Sequence, residues 1–286
     1  VVLKLSIKIQ RDYYRFPEML GEGNDPKPKL LLPLPRHLCY NRNWKIVKTH
    51  PLEALMDKNT PRIPLTPFTE LTFPSRVRAV FLDLDGTLLD SMGVWSDIDR
   101  RFLAKRGLEI PPDYLEAIVP LSYRDTALYT IRRFGLNETP EALMKEWHEM
   151  SIEAYRDWVP LKEKSRALLN WLKGKGFRLA AGTASTPELA VPCLTRLGVI
   201  GELEQIISTE EVFIGKNDPG FWEVAAEKMG LAPTECALFD DAAASLQAAK
   251  EAGIYTVGVL DRFGSGFPGC ADAATWLDDQ DLEVVQ

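Results

Sequence analysis

The sequence is poor in the residues that build cross-links and thiol or imidazole metal centres. Its 286 residues include only four cysteines and three histidines. The cysteines are widely separated and form no CxxC pair; they are Cys39, Cys193, Cys236 and Cys270. This spacing argues against a disulfide framework and a cysteine-based zinc site, and it favours a reducing compartment. We therefore expect a cytoplasmic protein.

Long apolar segments are also missing. No run approaches the ~20 apolar residues of a membrane-spanning helix. The N-terminus alternates leucine, lysine, isoleucine and glutamine, which is unlike the apolar centre of a signal peptide. With 45% hydrophobic and 26% charged residues, the composition is that of an ordinary globular protein with one large or two modest domains. We expect no membrane partner.

Positive charge is scarce after residue 76. Residues 77–286 carry 21 lysines and arginines against 34 acidic residues, whereas residues 1–76 carry 13 against 7. An acidic main body argues against nucleic acid as a partner.

Residues 1–76 also hold 10 of the 20 prolines. Proline breaks helices and removes hydrogen-bond donors from sheets. We expect a basic, poorly ordered N-terminal extension here, with at most a strand at 1–9 and a short helix at 51–57. A docking tail is the functional alternative.

A helix-rich stretch spans residues 92–159. Apolar residues recur at helical spacing near 98–103, 115–118, 127–134 and 142–158. With no strand signal in this region, it predicts a helical cap inserted into another domain.

Strands and helices then alternate, which indicates parallel βαβ units with helices on both faces. Predicted strands cover 79–82, 178–182, 205–208, 237–239 and 255–259. The fold class is therefore α/β, a doubly wound parallel sheet with an inserted helical cap. Its core would consist of residues 77–91 and 160–286.

Polar residues follow three of these strands. Asp83 and Asp85 end an apolar strand, and residues two apart on a strand point to the same face. Thr183 and Ser185 follow a second strand. Because the carboxyl ends of parallel strands share one edge of the sheet, these groups should converge.

Asp240 and Asp241 follow a third strand, and Lys216 lies in a loop before a helix. Four clustered carboxylates repel one another, and a hard cation such as Mg²⁺ relieves that repulsion. A lysine and a hydroxyl suit a phosphoryl group. Each piece has an ordinary alternative: a solvated loop lysine for Lys216, and helix caps for the Thr183–Ser185 and Asp240–Asp241 pairs.

With these motifs in this order, the sequence resembles the haloacid dehalogenase (HAD) superfamily. It is most similar to the β-phosphoglucomutase-like and phosphoglycolate-phosphatase-like branch, which has a helical cap after the first motif. The resemblance covers about residues 77–270. An aspartate at position 85 resembles the phosphoryl-transfer members, since the dehalogenases lack one there.

The resemblance implies a role for each motif residue. Asp83 would be the nucleophile that forms an aspartyl-phosphate, and Asp85 the general acid and base. Thr183 and the adjoining Ala184 would bind the phosphoryl oxygens, and Lys216 would stabilise the nucleophile and the transferring group.

The metal ligands follow from the same resemblance. Asp241 would be the principal carboxylate on Mg²⁺, with Asp240 in support. Asp83 would contribute its side chain and Asp85 its backbone carbonyl.

In the cap, the segment at residues 121–126 is a candidate to face the site. Its Arg124 would bind a second anionic group of the substrate, or else form a surface salt bridge. His148 is expected to be a partly exposed cap residue.

Together these features predict a Mg²⁺-dependent phosphatase for a small phosphorylated metabolite such as a sugar phosphate. The alternatives are a sugar-phosphate mutase and a non-catalytic HAD-like binding protein. We expect a monomer or weak dimer.

Overall fold

The core of the protein is a six-stranded parallel sheet. The computed structural model describes residues 64–118, 121, 123–261 and 269–283. The strands are β1 (Ala79–Leu82), β2 (Arg178–Thr183), β3 (Gln205–Ser208), β4 (Cys236–Asp240), β5 (Tyr255–Leu260) and β6 (Ala273–Trp276). Their spatial order is β3-β2-β1-β4-β5-β6, and all pairs are parallel. The prediction of a doubly wound α/β fold is confirmed, while β6 was missing from the predicted strands.

Strand β1 lies inside the sheet, as its wholly apolar sequence predicts. All four of its residues are fully buried, because both faces of the sheet are covered. Val80 and Leu82 belong to one apolar cluster, whereas Ala79 and Phe81 belong to another. This alternation is the two-residue period of a strand, and it places one hydrophobic layer on each face of the sheet.

Helices α1 to α4 lie between β1 and β2 in the chain and are called the cap below. They are α1 (Val94–Ala104), α2 (Tyr114–Ile118), α3 (Tyr123–Phe134) and α4 (Pro140–Asp157). The apolar faces of these helices pack together, with the rings of Phe102 and Trp147 5.4 Å apart. The start of α4 is capped by Thr139, whose hydroxyl accepts a hydrogen bond from the Ala142 amide at 3.2 Å.

The remaining helices cover the sheet. They are α5 (Ser165–Gly174), α6 (Pro187–Arg196), α7 (Thr209–Val212), α8 (Pro219–Lys228), α9 (Ala243–Glu251) and α10 (Asp279–Glu283). The chain passes from the core into the cap near Asp90 and returns near Pro160. These two linkers run side by side, and the Asp90 amide donates to the Pro160 carbonyl at 3.0 Å. Within the described part of the chain, no helix combines the length and apolarity needed to cross a membrane.

The N-terminal extension differs from the expectation at its end. Residues 64–76 are packed, not poorly ordered: Phe68 and Leu71 are buried, and the Thr66 amide donates to the Ala274 carbonyl of β6 at 2.9 Å. Phe68 meets Trp171 edge-on at 5.7 Å. Prolines here break regular structure but leave aromatic side chains to fill the edge of the core. The predicted strand at 1–9 and helix at 51–57 lie outside the described residues.

Candidate active site

The chain after β1 carries the first two predicted site residues. Asp83 follows Leu82 directly, and its amide donates to the Phe239 carbonyl of β4 at 2.9 Å, so its side chain begins at the carboxyl edge of the sheet. Asp83 is only 2% exposed. Gly86 then turns the chain with a φ of +82°, a conformation that favours glycine. Asp85 is half-buried beside this turn.

Lys216 reaches the same point from the loop before α8. It is 1% exposed, and its ammonium contacts the Asp83 carboxylate and lies 2.7 Å from Asp240 Oδ2. Burial opposes the charged form, but the carboxylates of Asp240 and Asp83 outweigh it and raise the pKa of Lys216. Lys216 is therefore a buried cation of the site and not a solvated loop lysine.

The two aspartates after β4 have different surroundings. Asp240 is satisfied: its oxygens accept from Lys216, from the Ser245 hydroxyl at 2.7 Å and from the Ala242 amide at 2.9 Å. Asp241 is 2% exposed, and the Thr87 hydroxyl makes only a long contact with its Oδ1, at 3.5 Å.

Burial and the charges of its neighbours make Asp241 an unfavourable carboxylate without a cation. Burial, followed by the charges of Asp83 and Asp240, raises its pKa well above the usual value. Burial likewise raises the pKa of Asp83 to about 7, against the opposing effect of Lys216. One lysine among three buried carboxylates leaves excess negative charge.

These residues fit a divalent cation. Asp83, Asp240 and Asp241 each offer a carboxylate oxygen, and those oxygens lie within 4.8 Å of one another. Space beside them is kept open by Gly86, since a Cβ there would come within 2.6 Å of Asp241 Oδ2. A cluster of oxygen ligands with excess negative charge is the environment that binds hard divalent ions.

Thr183 closes β2 on the other side of β1. It is fully buried, and its hydroxyl accepts from the Ser185 amide at 2.9 Å. This local turn carries the chain past half-buried Ala184 to Thr186, which is the residue that occupies the N-cap position of α6. The helix-cap interpretation of Thr183 and Ser185 is therefore wrong.

Sequence reasoning missed the partners of Asp85. Its carboxylate accepts from Ser91 Oγ at 2.6 Å and Tyr155 Oη at 2.5 Å, both on Oδ1, and from Ser185 Oγ at 2.5 Å on Oδ2. Ser91 lies only six positions after Asp85, so its closeness in sequence is a signal for this contact. Nothing in the sequence marks Tyr155, which lies near the end of α4, 70 positions away.

The cap residues singled out from the sequence make contacts within the protein. Arg124 forms an exposed ion pair with Glu141 at the start of α4, as the surface alternative predicted. Tyr123 of the same segment is buried inside the cap, where its hydroxyl donates to the Met144 carbonyl at 3.0 Å. His148 is partly exposed, and its Nε2 lies 3.5 Å from Glu188 of α6.

Known proteins are similar to this chain in sequence and in fold. The 207-residue alignment with the β-phosphoglucomutase of Bacillus subtilis is 30% identical and covers 67% of this chain and 85% of that protein. A phosphorylated carbohydrates phosphatase of Thermotoga maritima is 24% identical over 191 residues, covering 66% and 88%. The crystal structure of a putative β-phosphoglucomutase from Thermotoga maritima superposes with a TM-score of 0.63 at 23% identity, over 73% of this chain and 98% of that one.

The family is shown by a broader match. The sequence profile described as haloacid dehalogenase-like hydrolase matches residues 77–253, which is more than half of the chain and includes both aspartate motifs, Thr183 and Lys216. The chain therefore belongs to the haloacid dehalogenase-like hydrolases.

Proposed function

We propose that this protein is a Mg²⁺-dependent phosphatase that hydrolyses a small phosphorylated carbohydrate through an aspartyl-phosphate on Asp83. The observation that carries the proposal is the buried cluster at the sheet edge, where Lys216 contacts Asp83 and Asp241 lies beside it with few partners. The relatives named above act on phosphorylated carbohydrates or carry the name of a phosphoglucomutase, which supports the substrate class.

In this proposal Asp83 is the nucleophile. Lys216 contacts Oδ1, while Oδ2 has a longer contact, 3.3 Å from the Thr87 hydroxyl. In the first step an oxygen of Asp83 forms a bond to phosphorus as the bond from phosphorus to the substrate oxygen breaks. Asp85, in its protonated form, gives its proton to that leaving oxygen.

The second step regenerates the enzyme. A water molecule attacks the phosphorus of the aspartyl-phosphate, and Asp85, now a carboxylate, takes the proton of that water. The bond from phosphorus to Asp83 breaks, so inorganic phosphate leaves and the Asp83 carboxylate returns. Lys216 stays charged throughout and stabilises negative charge on Asp83 and on the transferring group.

The cation would be held by Asp83 and Asp241, with the Asp85 carbonyl and Asp240 as further ligands. When bound, Mg²⁺ supplies positive charge that offsets repulsion between the carboxylates and an anionic phosphoryl group. Thr183 and the backbone at Ala184 would bind phosphoryl oxygens. The position of Thr183 at the carboxyl end of β2, the strand that pairs with β1, supports this role.

Replacing Asp83 tests the mechanism. We expect Asp83→Asn to lose p-nitrophenyl phosphate turnover by about a thousand-fold or more, since the amide is not a nucleophile. Asp272→Asn is the matched control. Asp272 lies near the start of β5, at the opposite edge of the sheet, where it accepts from the Thr256 amide.

The assay uses purified protein with Mg²⁺, after EDTA treatment, and after Mg²⁺ is added back. The proposal predicts loss with EDTA, recovery with Mg²⁺, and native rates for the control. Substantial turnover by Asp83→Asn would refute the aspartyl-phosphate mechanism. Absence of turnover by the native protein on any of a panel of phosphate esters would favour the non-catalytic binding alternative.

A sugar-phosphate mutase is the second candidate, and the 30% identity to a β-phosphoglucomutase favours keeping it. It would use the same nucleophile but return the phosphoryl group to a sugar. Incubation with β-glucose 1-phosphate and a hexose bisphosphate separates the two. Glucose 6-phosphate formed without release of inorganic phosphate identifies the mutase, whereas stoichiometric phosphate release identifies the phosphatase.

A further inference from the structure

The carboxylate of Asp85 is held by three hydroxyl groups from three different parts of the chain. Ser91 belongs to the linker that leads into the cap, Ser185 follows β2, and Tyr155 belongs to α4 of the cap. Hydrogen bonds to a charged carboxylate are the stronger kind, and three of them fix both the position and the rotation of the group.

The three donors are divided unequally between the two oxygens. A carboxylate oxygen has two acceptor sites in its plane. Oδ1 receives Ser91 at 2.6 Å and Tyr155 at 2.5 Å, so both of its sites are used. Among the described residues, Oδ2 accepts a hydrogen bond only from Ser185, at 2.5 Å. The geometry therefore assigns proton exchange to Oδ2, which keeps one site for the leaving oxygen or the attacking water.

Tyr155 is itself firmly placed. Its side chain is buried, with the residue 4% exposed. Its hydroxyl is the donor in the hydrogen bond to Asp85 Oδ1. Arg196 of α6 donates to the backbone carbonyls of Tyr155 and Val159, which ties the end of α4 to the core.

We propose that Tyr155 is a positioning residue that couples docking of the cap to proton transfer by Asp85. By occupying Oδ1, the cap hydroxyl turns the Oδ2 edge of the carboxyl towards the reacting oxygen. Asp85 is then correctly oriented only when α4 is seated on the core. This inference rests on the proposed function, because it assigns no role to Tyr155 unless Asp85 acts as acid and base.

The test uses leaving groups that need a proton to different degrees. Nitrophenolate departs from p-nitrophenyl phosphate without protonation, whereas the more basic phenolate of phenyl phosphate benefits from a proton. For both esters kcat/KM reports the step in which Asp83 is phosphorylated. We expect Tyr155→Phe to lower kcat/KM for phenyl phosphate about ten-fold or more, a part of the 10²–10⁴-fold typical of acid catalysis. For p-nitrophenyl phosphate it should change less than about two-fold.

Tyr114→Phe is the matched control. Tyr114 is also a buried cap tyrosine, and its hydroxyl lies 2.7 Å from Thr130 Oγ1, which donates its own proton to the Thr126 carbonyl. This variant removes one buried hydroxyl from the cap without touching Asp85. The ratio of the two kcat/KM values should therefore stay at its native value.

The outcomes separate the two proposals. An equal loss on both esters by Tyr155→Phe would overturn the positioning role, because a structural brace affects all substrates alike. A gain on phenyl phosphate would also overturn it, since it would mean that Tyr155 holds Asp85 away from the substrate. Turnover that survives Asp83→Asn would instead overturn the proposed function.

Discussion

Replacing Gly86 by alanine perturbs the site through a single methyl group. Gly86 has a φ of +82°, and a Cβ at this position would lie 2.6 Å from Asp241 Oδ2 and 2.8 Å from its Cγ. Two costs therefore arise in Gly86→Ala. One is backbone strain in the left-handed region, and the other is displacement of a carboxylate proposed to bind the metal.

The two costs have different sizes and readouts. Left-handed backbone costs an alanine about 1–2 kcal/mol of stability. Non-bonded heavy atoms are comfortable at about 3.5 Å, so the Asp241 carboxylate must move about 1 Å away from the new Cβ. A shift of that size exceeds the tolerance of a metal site, and we expect a loss of about ten- to hundred-fold in Mg²⁺ affinity.

Gly107 provides the matched control. Its φ is +69°, but a Cβ there would meet nothing within 4 Å. Gly107→Ala should lower the free energy of unfolding in urea because of the backbone strain. It should leave the Mg²⁺ dependence of turnover unchanged. The assay is p-nitrophenyl phosphate turnover across a Mg²⁺ titration for both variants. An unchanged half-saturating Mg²⁺ concentration in Gly86→Ala would refute the placement of the cation beside Asp241.

Two further predictions concern stability. Burial raises the pKa of Asp99 in α1 to about 7, so the folded protein holds this proton more tightly than the unfolded chain does. The contribution of Asp99 to the free energy of unfolding is therefore greatest below pH ~4. It falls by about 4 kcal/mol at most as the pH rises towards 7. Urea unfolding should show this decline in the native protein and a flatter profile in Asp99→Asn; equal profiles would contradict it. Separately, Phe68→Ala should cost about 3 kcal/mol in urea unfolding, because Phe68 is buried against Trp171. A negligible change in the free energy of unfolding would contradict this and would mean that residues 64–76 are dispensable for stability.

The strands that depend on local sequence patterns were predicted well. The apolar run at Ala79–Leu82 predicted the central strand, and the alternation that follows predicted four more parallel strands. The strand β6 was missed because it is short and only half of its residues are buried, so it lacks a clear apolar run. The end of the proline-rich segment was misjudged, since proline content reports on regular structure and not on whether Phe68 finds a partner.

For the site residues too, some contacts follow from a rule that applies to sequence and others depend on tertiary packing. Burial of Asp83, Lys216 and Asp241 together depends on strand ends meeting at one edge, and that rule can be applied to a sequence. The ion pair of Arg124 with Glu141 depends on how two cap helices pack, and a sequence motif does not contain that information.

The sequence by itself determined the fold class and the candidate site residues, because the hydrophobic period and the order of the motifs are written along the chain. Only the tertiary structure decided which oxygen of Asp85 stays open and that a tyrosine of the cap closes the other. Those contacts join residues up to 100 positions apart, so they exist only once the cap is packed against the sheet edge.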